Sequence, residues 1–330
     1  MAEKNNCTQI EYLSRNYINN MKKLRHCLRI TDFSARELDE ILKLSAKLKK
    51  ELKTTGKNKP ILIDKTLVMV FEKPSLRTRI SFEIGMTQLG GHAIYLGPQD
   101  IQMGVRESAC DIGKVISSMA DIIMARTFKH ATIQELADGS SCPVINGLSD
   151  LEHPCQILAD YLTIWEKVGK IKKITLAYFG DGNNNVTHSL LLMSALMGNE
   201  FRCASPKGYS MNPKVVMQAK AIAKKTGVKI VETINPESAA KGAQVIITDT
   251  WVSMGLEMEK AKRSKIFPPY QVTQKLMKLA DKKAIFMHCL PAYRGKEVVT
   301  EVIDGPQSVV FPEAENRLHS QKGLMAWLTT

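Results

Sequence analysis

Two periodicities interleave along this chain. Short apolar runs of strand character alternate with longer stretches in which apolar residues recur at helical spacing. The runs 66–71 (TLVMVF), 92–96 (HAIYL), 121–127 (DIIMART) and 143–147 (PVING) predict strands in the first half, with helices at 79–89, 108–119 and 132–138 between them. A long helix is predicted over 154–168. The alternation then restarts with strands at 174–180 (ITLAYFG), 201–205 (FRCAS), 229–234 (KIVETI), 243–249 (AQVIITD) and 284–290 (AIFMHCL). Helices are predicted at 187–198, 213–226, 236–241 and 271–280, and a last one over 317–329. Ahead of the first strand, Leu38, Ile41, Leu42, Leu44 and Leu48 mark a helix over 35–54. Ser34 stands at its N-cap position and Glu37 follows at the spacing of a capping box.

Strands alternating with helices give parallel sheets covered on both faces. The expected fold is α/β: two doubly wound parallel-sheet domains joined by interdomain helices. A polar N-terminal extension is expected over 1–27, a first domain over 28–152 and a second over 153–316. A C-terminal helix over 317–330 is expected to pack back on the first domain. Open sheets of this kind bind ligands outside the carboxyl ends of their strands, so chemistry is expected in the residues that follow each strand.

Composition narrows the function classes. The chain has 330 residues, 44% apolar and 24% charged, an ordinary globular profile with ample material for a core. No apolar run approaches the ~18–20 residues of a membrane span. The net charge is +13, from 46 Lys and Arg against 33 Asp and Glu. The first 60 residues hold 14 of the basic and 7 of the acidic residues, in lysine-rich helical segments and not in an aromatic-interleaved patch. That pattern argues against a nucleic-acid partner and suits the steering of a small anionic substrate. The 7 cysteines are scattered without a C-x-x-C pair, which argues against a zinc ribbon or a disulfide framework and for a reducing compartment. The N-terminus has no secretory h-region, and Glu3 and Glu11 lie among its asparagines, so a cytoplasmic location is expected.

The strand ends carry the candidate chemistry. After the first strand come Glu72, Lys73, Pro74, Ser75, Leu76, Arg77, Thr78 and Arg79. Hydroxyls and guanidiniums at a helix N-terminus make an anion site, because the orphan N–H groups, the helix dipole and bidentate arginines all favour phosphate. A capped helix with solvated arginines is the alternative. Arg126 ends the third strand. His153-Pro154-Cys155-Gln156 follows the fourth, with Pro in the first helical turn and His153 and Gln156 on one helical face. In the second half Gly180-Asp181-Gly182-Asn183-Asn184-Asn185 follows a strand. It lacks the third glycine of a dinucleotide turn, and its Asn side chains suit hydrogen bonds to a small polar molecule. Asp249-Thr250-Trp251-Val252-Ser253-Met254-Gly255 and His288-Cys289-Leu290-Pro291 follow later strands, and Glu315-Asn316-Arg317 opens the last helix. Singly, each has a structural alternative: His288 or Cys289 as core, Asp249 as a cap. Jointly, cations in the first half face Asp and Asn in the second, an anion site opposite a site able to hold an amine.

These motifs, in this order, together with Arg126-Thr127-Phe128-Lys129-His130 and Ala314-Glu315-Asn316-Arg317-Leu318-His319, closely resemble the ornithine branch of the carbamoyltransferase family, over roughly residues 28–328. The Ser-x-Arg-Thr-Arg and His-Pro-x-Gln motifs mark the wider family. The Ser253-Met254-Gly255 loop and the His288-Cys289-Leu290-Pro291 run mark the ornithine branch. The resemblance implies that Ser75, Leu76 (through its backbone N–H), Arg77 and Thr78 hold the phosphate of carbamoyl phosphate. Arg126, His153 and Gln156 would bind its carbamoyl end, and Arg317 with the carbonyl groups of Cys289 and Leu290 would complete the site. Gln102 would reach in from a neighbouring subunit of a homotrimer whose active sites lie at subunit interfaces. Asn185, Asp249, Ser253 and Met254 would bind L-ornithine, Asp249 facing its α-ammonium group. The first domain would thus be the carbamoyl phosphate-binding one and the second the ornithine-binding one. Leu76 departs from the family, which usually has Thr there. The missing hydroxyl contact would weaken carbamoyl phosphate binding by about 1 kcal/mol, and residues other than Thr here also occur in relatives with acylated ornithine substrates.

The implied reaction passes the carbamoyl group to the δ-amine of L-ornithine, giving L-citrulline and phosphate without a covalent enzyme intermediate, as a step of arginine metabolism. Arg126, His153 and Thr78 would stabilise the oxyanion, and a closed, dry cleft would select the deprotonated amine. Cys289 would hydrogen-bond Asp249 and help orient or deprotonate the amine, or else be a packing cysteine. No metal, cofactor, nucleic acid or membrane enters this scheme. The rival substrates are putrescine and an N-acylated ornithine, with Asp249 as discriminator. A nicotinamide-dependent dehydrogenase is undermined by the missing glycine. A rival of another class is a non-catalytic binding or regulatory subunit on the same fold.

Overall fold

The computed structural model describes residues 24–104, 106–252 and 257–329. The apolar runs of the first half form β1 (Thr66–Phe71), β2 (His92–Leu96), β3 (Ile122–Arg126) and β4 (Val144–Leu148), an all-parallel sheet of order β2-β1-β3-β4. Those of the second half form β5 (Thr175–Phe179), β6 (Glu200–Ala204), β7 (Ile230–Thr233), β8 (Val245–Thr248) and β9 (Ile285–His288), also parallel, in order β7-β6-β5-β8-β9. Strands β3 and β8 are buried along their whole length and β1 and β5 nearly so. Burial on both faces is why they read as continuous apolar runs.

The helices in chain order are α1 (Ala35–Thr55), α2 (Leu76–Gln88), α3 (Pro98–Ile101), α4 (Ala109–Ser117), α5 (His130–Gly139), α6 (Pro154–Val168) and α7 (Asn185–Met197), followed by α8 (Pro213–Thr226), α9 (Pro236–Ala240), α10 (Lys260–Ile266), α11 (Gln274–Leu279), α12 (Thr300–Ile303) and α13 (Val310–Thr329). The capping box at Ser34 is formed: Glu37 N–H donates to Ser34 Oγ at 3.3 Å, and Ser34 N–H to Glu37 Oε2 at 2.7 Å. Three expectations need correction. Helix α13 starts at Val310 and not near 317, because Pro312 sits in the first turn, where a missing N–H costs no helical bond. Helix α2 starts at Leu76 and not at 79, since the polar Arg77-Thr78-Arg79 run is its first turn. The extension expected over 1–27 gives way to folded chain by Arg25. That residue pairs with Glu37 at 2.7 Å and lies over the rings of Phe33 and Trp327. Cys27 is fully buried and exchanges backbone hydrogen bonds with Val144 and Asn146, both 2.8 Å, along the outer side of β4. Residues 1–23 of that extension lie outside the described residues.

Two helices join the sheets. α6 leads from β4 into the second half, and α13 returns from it to pack on α1, α2 and α6. One apolar cluster runs from Leu38, Phe82 and Met124 through Leu158 and Leu162 of α6 and Leu324 and Met325 of α13 to Leu190 and Met287. The two halves therefore share a core. In each sheet the strand order reverses once, between β1 and β3 and between β5 and β8. Such switch points open a crevice at the carboxyl ends of the strands, and the residues following β1, β3, β5 and β8 gather there.

The approach of α13 to α1 depends on Gly323. A Cβ there would clash with Ser45 Oγ and lie 2.9 Å from Ser45 N and 3.0 Å from Ile41 O, both backbone atoms of α1. Gly323→Ala is expected to destabilise the fold by ~1–3 kcal/mol, the usual cost of overpacking; a denaturant melt with an unshifted midpoint would refute it.

Candidate active site in the crevice

Residues from both halves close a cavity of about 200 Å³. Its floor in the first half is the N-terminus of α2. Ser75 takes an extended conformation (φ −158°) as N-cap, but its hydroxyl bonds Thr78 Oγ1 at 3.1 Å and caps no backbone N–H. The first-turn donors thus keep no side-chain acceptor, the condition under which a helix N-terminus takes an anion. Arg77 Nη2 crosses to the other half and donates to Leu290 O at 2.6 Å. Arg126, at the end of β3, is buried, and its Nε has no partner. Burial, then the charges of Arg317 and Arg77, lower its pKa to about 10.

His153 is the N-cap residue of α6. Its backbone N–H donates to Ser189 Oγ at 3.0 Å, and its ring Nδ1 is buried without a partner. Burial, and then Arg317, Arg126, Lys73 and Arg77, hold its pKa well below the ordinary imidazole value. The ring is therefore neutral at physiological pH. Gln156, one turn on, accepts from Arg317 Nη1 at 2.8 Å, and Arg317 Nη2 reaches Thr78 Oγ1 at 3.4 Å.

The opposite wall comes from the second half. Cys289 Sγ donates to Asp249 Oδ1 at 3.2 Å, the contact implied by the resemblance, and Thr250 N–H donates to the same oxygen at 2.7 Å. Burial raises the Asp249 carboxyl. Burial, followed by the charge of Asp249, pushes the Cys289 thiol well up, so the sulfur is a hydrogen-bond donor and not a thiolate. Leu290 has φ +57°, a region that side chains with a Cβ rarely adopt. Its N–H donates to His288 Nδ1 at 2.9 Å, which leaves the ring proton on Nε2, against Glu297 Oε1 at 3.2 Å. This brace aims the Leu290 carbonyl at Arg77.

Of the sequence-derived site residues, Ser75, Arg77, Thr78, Arg126, His153, Gln156, Asn185, Asp249, Cys289, Leu290 and Arg317 line the cavity. Leu76 does not: its side chain is 71% exposed, on the outer face of α2. Gln102 is exposed in a left-handed turn after α3, away from the cavity of its own chain. Ser253 and Met254 lie outside the described residues. The asparagine-rich turn after β5 is mostly structural. Asp181 pairs with buried Arg263, Asn183 bonds His188 at 3.2 Å, and Asn184 caps α7 at Thr187 N. Only Asn185 reaches the cavity, where its amide donates to Ser149 O at 2.6 Å. Lys73, Thr250 and Tyr293 line it without having been singled out. Lys73 stood in the motif after β1, but nothing local distinguished it from a solvated lysine.

Asp249, His288 and Cys289 form the group among the described residues whose ligand atoms approach closely enough for a cation, within 4.8 Å. Both His288 ring nitrogens and the thiol are already engaged in hydrogen bonds. The dominant feature is instead a shortage of anions. Arg77, Arg126, Arg317 and Lys73 converge on one cavity, and among the described residues none has a carboxylate ion-pair partner. Buried cations without a counter-charge are costly, and the first half of the cavity is built for an anion to supply it.

Family models divide the chain at the same place as the two sheets. The carbamoyl-P binding domain of aspartate/ornithine carbamoyltransferases matches residues 25–166, and the Asp/Orn binding domain matches 172–328. The chain belongs to the aspartate/ornithine carbamoyltransferase family. An ornithine carbamoyltransferase of Wolinella succinogenes is 52% identical over 305 residues, covering 92% of this chain and 98% of the relative. One of Caldicellulosiruptor saccharolyticus is 50% identical with the same coverage. Among solved structures, the ornithine carbamoyltransferase from Pyrococcus furiosus superposes with a TM-score of 0.89 at 47% identity, covering 93% of this chain and 97% of that one. The anabolic enzyme from Campylobacter jejuni gives 0.87 at 42%, with 92% and 98% covered.

Within this cavity Lys73 adds a pH dependence. Burial and Arg126 lower its pKa to about 8, so it is charged below that value and loses its charge as pH rises through it. Binding of inorganic phosphate is expected to weaken across that range, and Lys73→Met to bind more weakly with a flatter profile. Calorimetric titrations at neutral and alkaline pH test this; identical profiles for the two proteins would exclude Lys73 from anion binding.

Proposed function

We propose that this chain transfers the carbamoyl group of carbamoyl phosphate to the δ-amine of L-ornithine, releasing L-citrulline and phosphate. The observation that carries the reading is the set of buried and half-buried cations that, among the described residues, have no carboxylate ion-pair partner, facing the hydrogen-bonded Asp249–Cys289 pair across one cavity. The former suits a phosphorylated anion and the latter an ammonium-bearing amino acid. The names of the relatives point the same way.

In this scheme Ser75, the Leu76 N–H, Arg77 and Thr78 hold the phosphate, with Lys73 beside them. Arg126, neutral His153 and Thr78 donate to the carbamoyl oxygen as it gains charge, and Arg317 keeps Gln156 and Thr78 in place. A neutral imidazole among arginines donates one N–H without adding a further charge. The segment 28–152 then serves carbamoyl phosphate, while 153–316 serves ornithine through Asn185, Asp249, Ser253 and Met254. The attacking amine, with a free pKa ~10 by analogy with lysine, must enter deprotonated. The raised pKa of Cys289 makes it a group that orients the Asp249 carboxylate and not a nucleophile.

The same reading includes a homotrimer in which Gln102 completes a neighbour's site. Its support is an exposed apolar stripe on α2, with Leu76, Ile80 and Ile84 at 71%, 44% and 41% exposure, one helical turn apart and beside the edge strand β2. Among the described residues no helix is long and apolar enough to cross a membrane, and a cytoplasmic role in arginine metabolism fits the proposed reaction.

Ureido-product formation from carbamoyl phosphate should strongly favour ornithine over putrescine and N-acetylornithine. Preference for another amine would retain the phosphate half and overturn the ornithine half; no turnover with any amine would favour a binding subunit. Arg126→Ala is expected to lower kcat by ~10²–10³. Ile80→Glu with Ile84→Glu should dissociate the assembly in sedimentation and abolish activity, whereas an active monomer would contradict a site shared between subunits.

A further inference from the structure

Behind the cavity, Asp160 of α6 and Glu313 of α13 are buried to 2% and 1% exposure, and neither lines the cavity itself. The Gln156 amide nitrogen donates to Asp160 Oδ1 at 2.8 Å and to Glu313 Oε1 at 3.1 Å. The amide oxygen accepts from Arg317 Nη1 at 2.8 Å. The other Glu313 oxygen accepts from the backbone N–H of His288 at 3.0 Å, one residue before Cys289.

The carboxyls of Asp160 and Glu313 thus accept from one amide nitrogen and lie side by side, placed to share a proton. Two adjacent carboxylates in a dry interior do not both ionise, and a bond between them requires a proton on one. Burial first, and their proximity with it, moves Glu313 well above the usual carboxylate range, and burial raises Asp160. The pair then carries one negative charge, relayed through an amide to Arg317, and spends both Gln156 hydrogens. Turning the amide over would set its oxygen against carboxylate oxygens and its hydrogens against a guanidinium. Only a lone pair of Gln156 Oε1 is left to face a ligand.

We propose that Asp160 and Glu313 are positioning residues for carbamoyl transfer, an acid pair sharing one proton that locks the Gln156 amide, holds Arg317 through it, and ties both to the strand end that carries Cys289. The proposal rests on the functional reading above.

Asp160→Asn is the conservative variant, since its amide supplies the hydrogen between the two groups and leaves the charge on Glu313. It should keep kcat/KM for carbamoyl phosphate within about threefold of the wild type, while Asp160→Ala and Glu313→Ala lose about tenfold or more, the scale of one unmade buried hydrogen bond. KM for the amine should change less. A purely structural role would lower the thermal midpoint and leave the kinetic constants of the folded protein unmoved. Infrared spectra give a readout independent of activity: the wild type should show a protonated-carboxyl C=O band that Asp160→Asn removes. Folded alanine variants with unchanged kcat/KM, or a band that persists in Asp160→Asn, overturn the proposal. If the alanine variants do not fold, the infrared comparison decides. An inactive wild type would count against the functional reading, and the band would still decide the acid pair.

Discussion

Holding several guanidiniums in one crevice is the constraint from which the rest of this structure follows. Arg126 and Arg317 are buried and Arg77 lines the same cavity; burial first, and then the charges of Arg317 and Arg77, lower the proton affinity of Arg126, and burial and Arg77 lower that of Arg317. Such a cluster stands only if the surrounding fold supplies oriented dipoles and keeps everything titratable nearby in its less costly form. The carbonyl of Leu290, the amide of Gln156 and the hydroxyl of Thr78 take hydrogen bonds from Arg77 and Arg317 without cancelling their charge. His153 is neutral for the same reason. What remains uncompensated is positive and faces the cavity.

The mechanical counterpart is the pair of helices that cross between the sheets. His153 is the N-cap of α6 and α13 carries Arg317, so each helix contributes to the cavity while its apolar face lies in the core shared by both halves. α13 is held by polar contacts as well as by packing. Lys322 is fully buried and donates to Asn58 and Gln88, both at 2.7 Å, and burial brings its pKa down to about 8. The position of Arg317 is therefore set by contacts far from the chemistry, including the close approach at Gly323.

The two walls of the cavity solve opposite electrostatic problems. On the first wall desolvation favours the loss of protons, giving a neutral imidazole and a lysine near its titration point. On the second it favours their retention, giving a thiol at Cys289 and a raised carboxyl at Asp249, and the same holds behind the cavity at Asp160 and Glu313. A ligand that is anionic at one end and meets an amine at the other relieves both, because each wall gains the charge it lacks.

Much of this was legible in the sequence, because it is decided locally. Parallel strands buried on both faces must be continuous apolar runs, and the half-exposed edge strands β2 and β7 keep apolar residues enough to stand out, so the nine strands among the described residues fall where the pattern put them. A capping box needs only Ser34 and Glu37, and an anion-binding helix start needs only the residues around Ser75. What depended on distant partners was not legible. Nothing around Asp181 announces Arg263, nothing around Lys73 announces the crowding by Arg126, and Asp160 and Glu313 meet only because α13 returns to α6. Leu76 and Gln102 lie in stretches rich in site residues, yet their side chains turn outward, because helix phase and a left-handed turn set their direction. Residue type and local periodicity determined the elements and the kind of chemistry. The protonation states, the pairing of the acids and which side chains face the cavity were decided by burial and proximity, which exist only once the chain has folded.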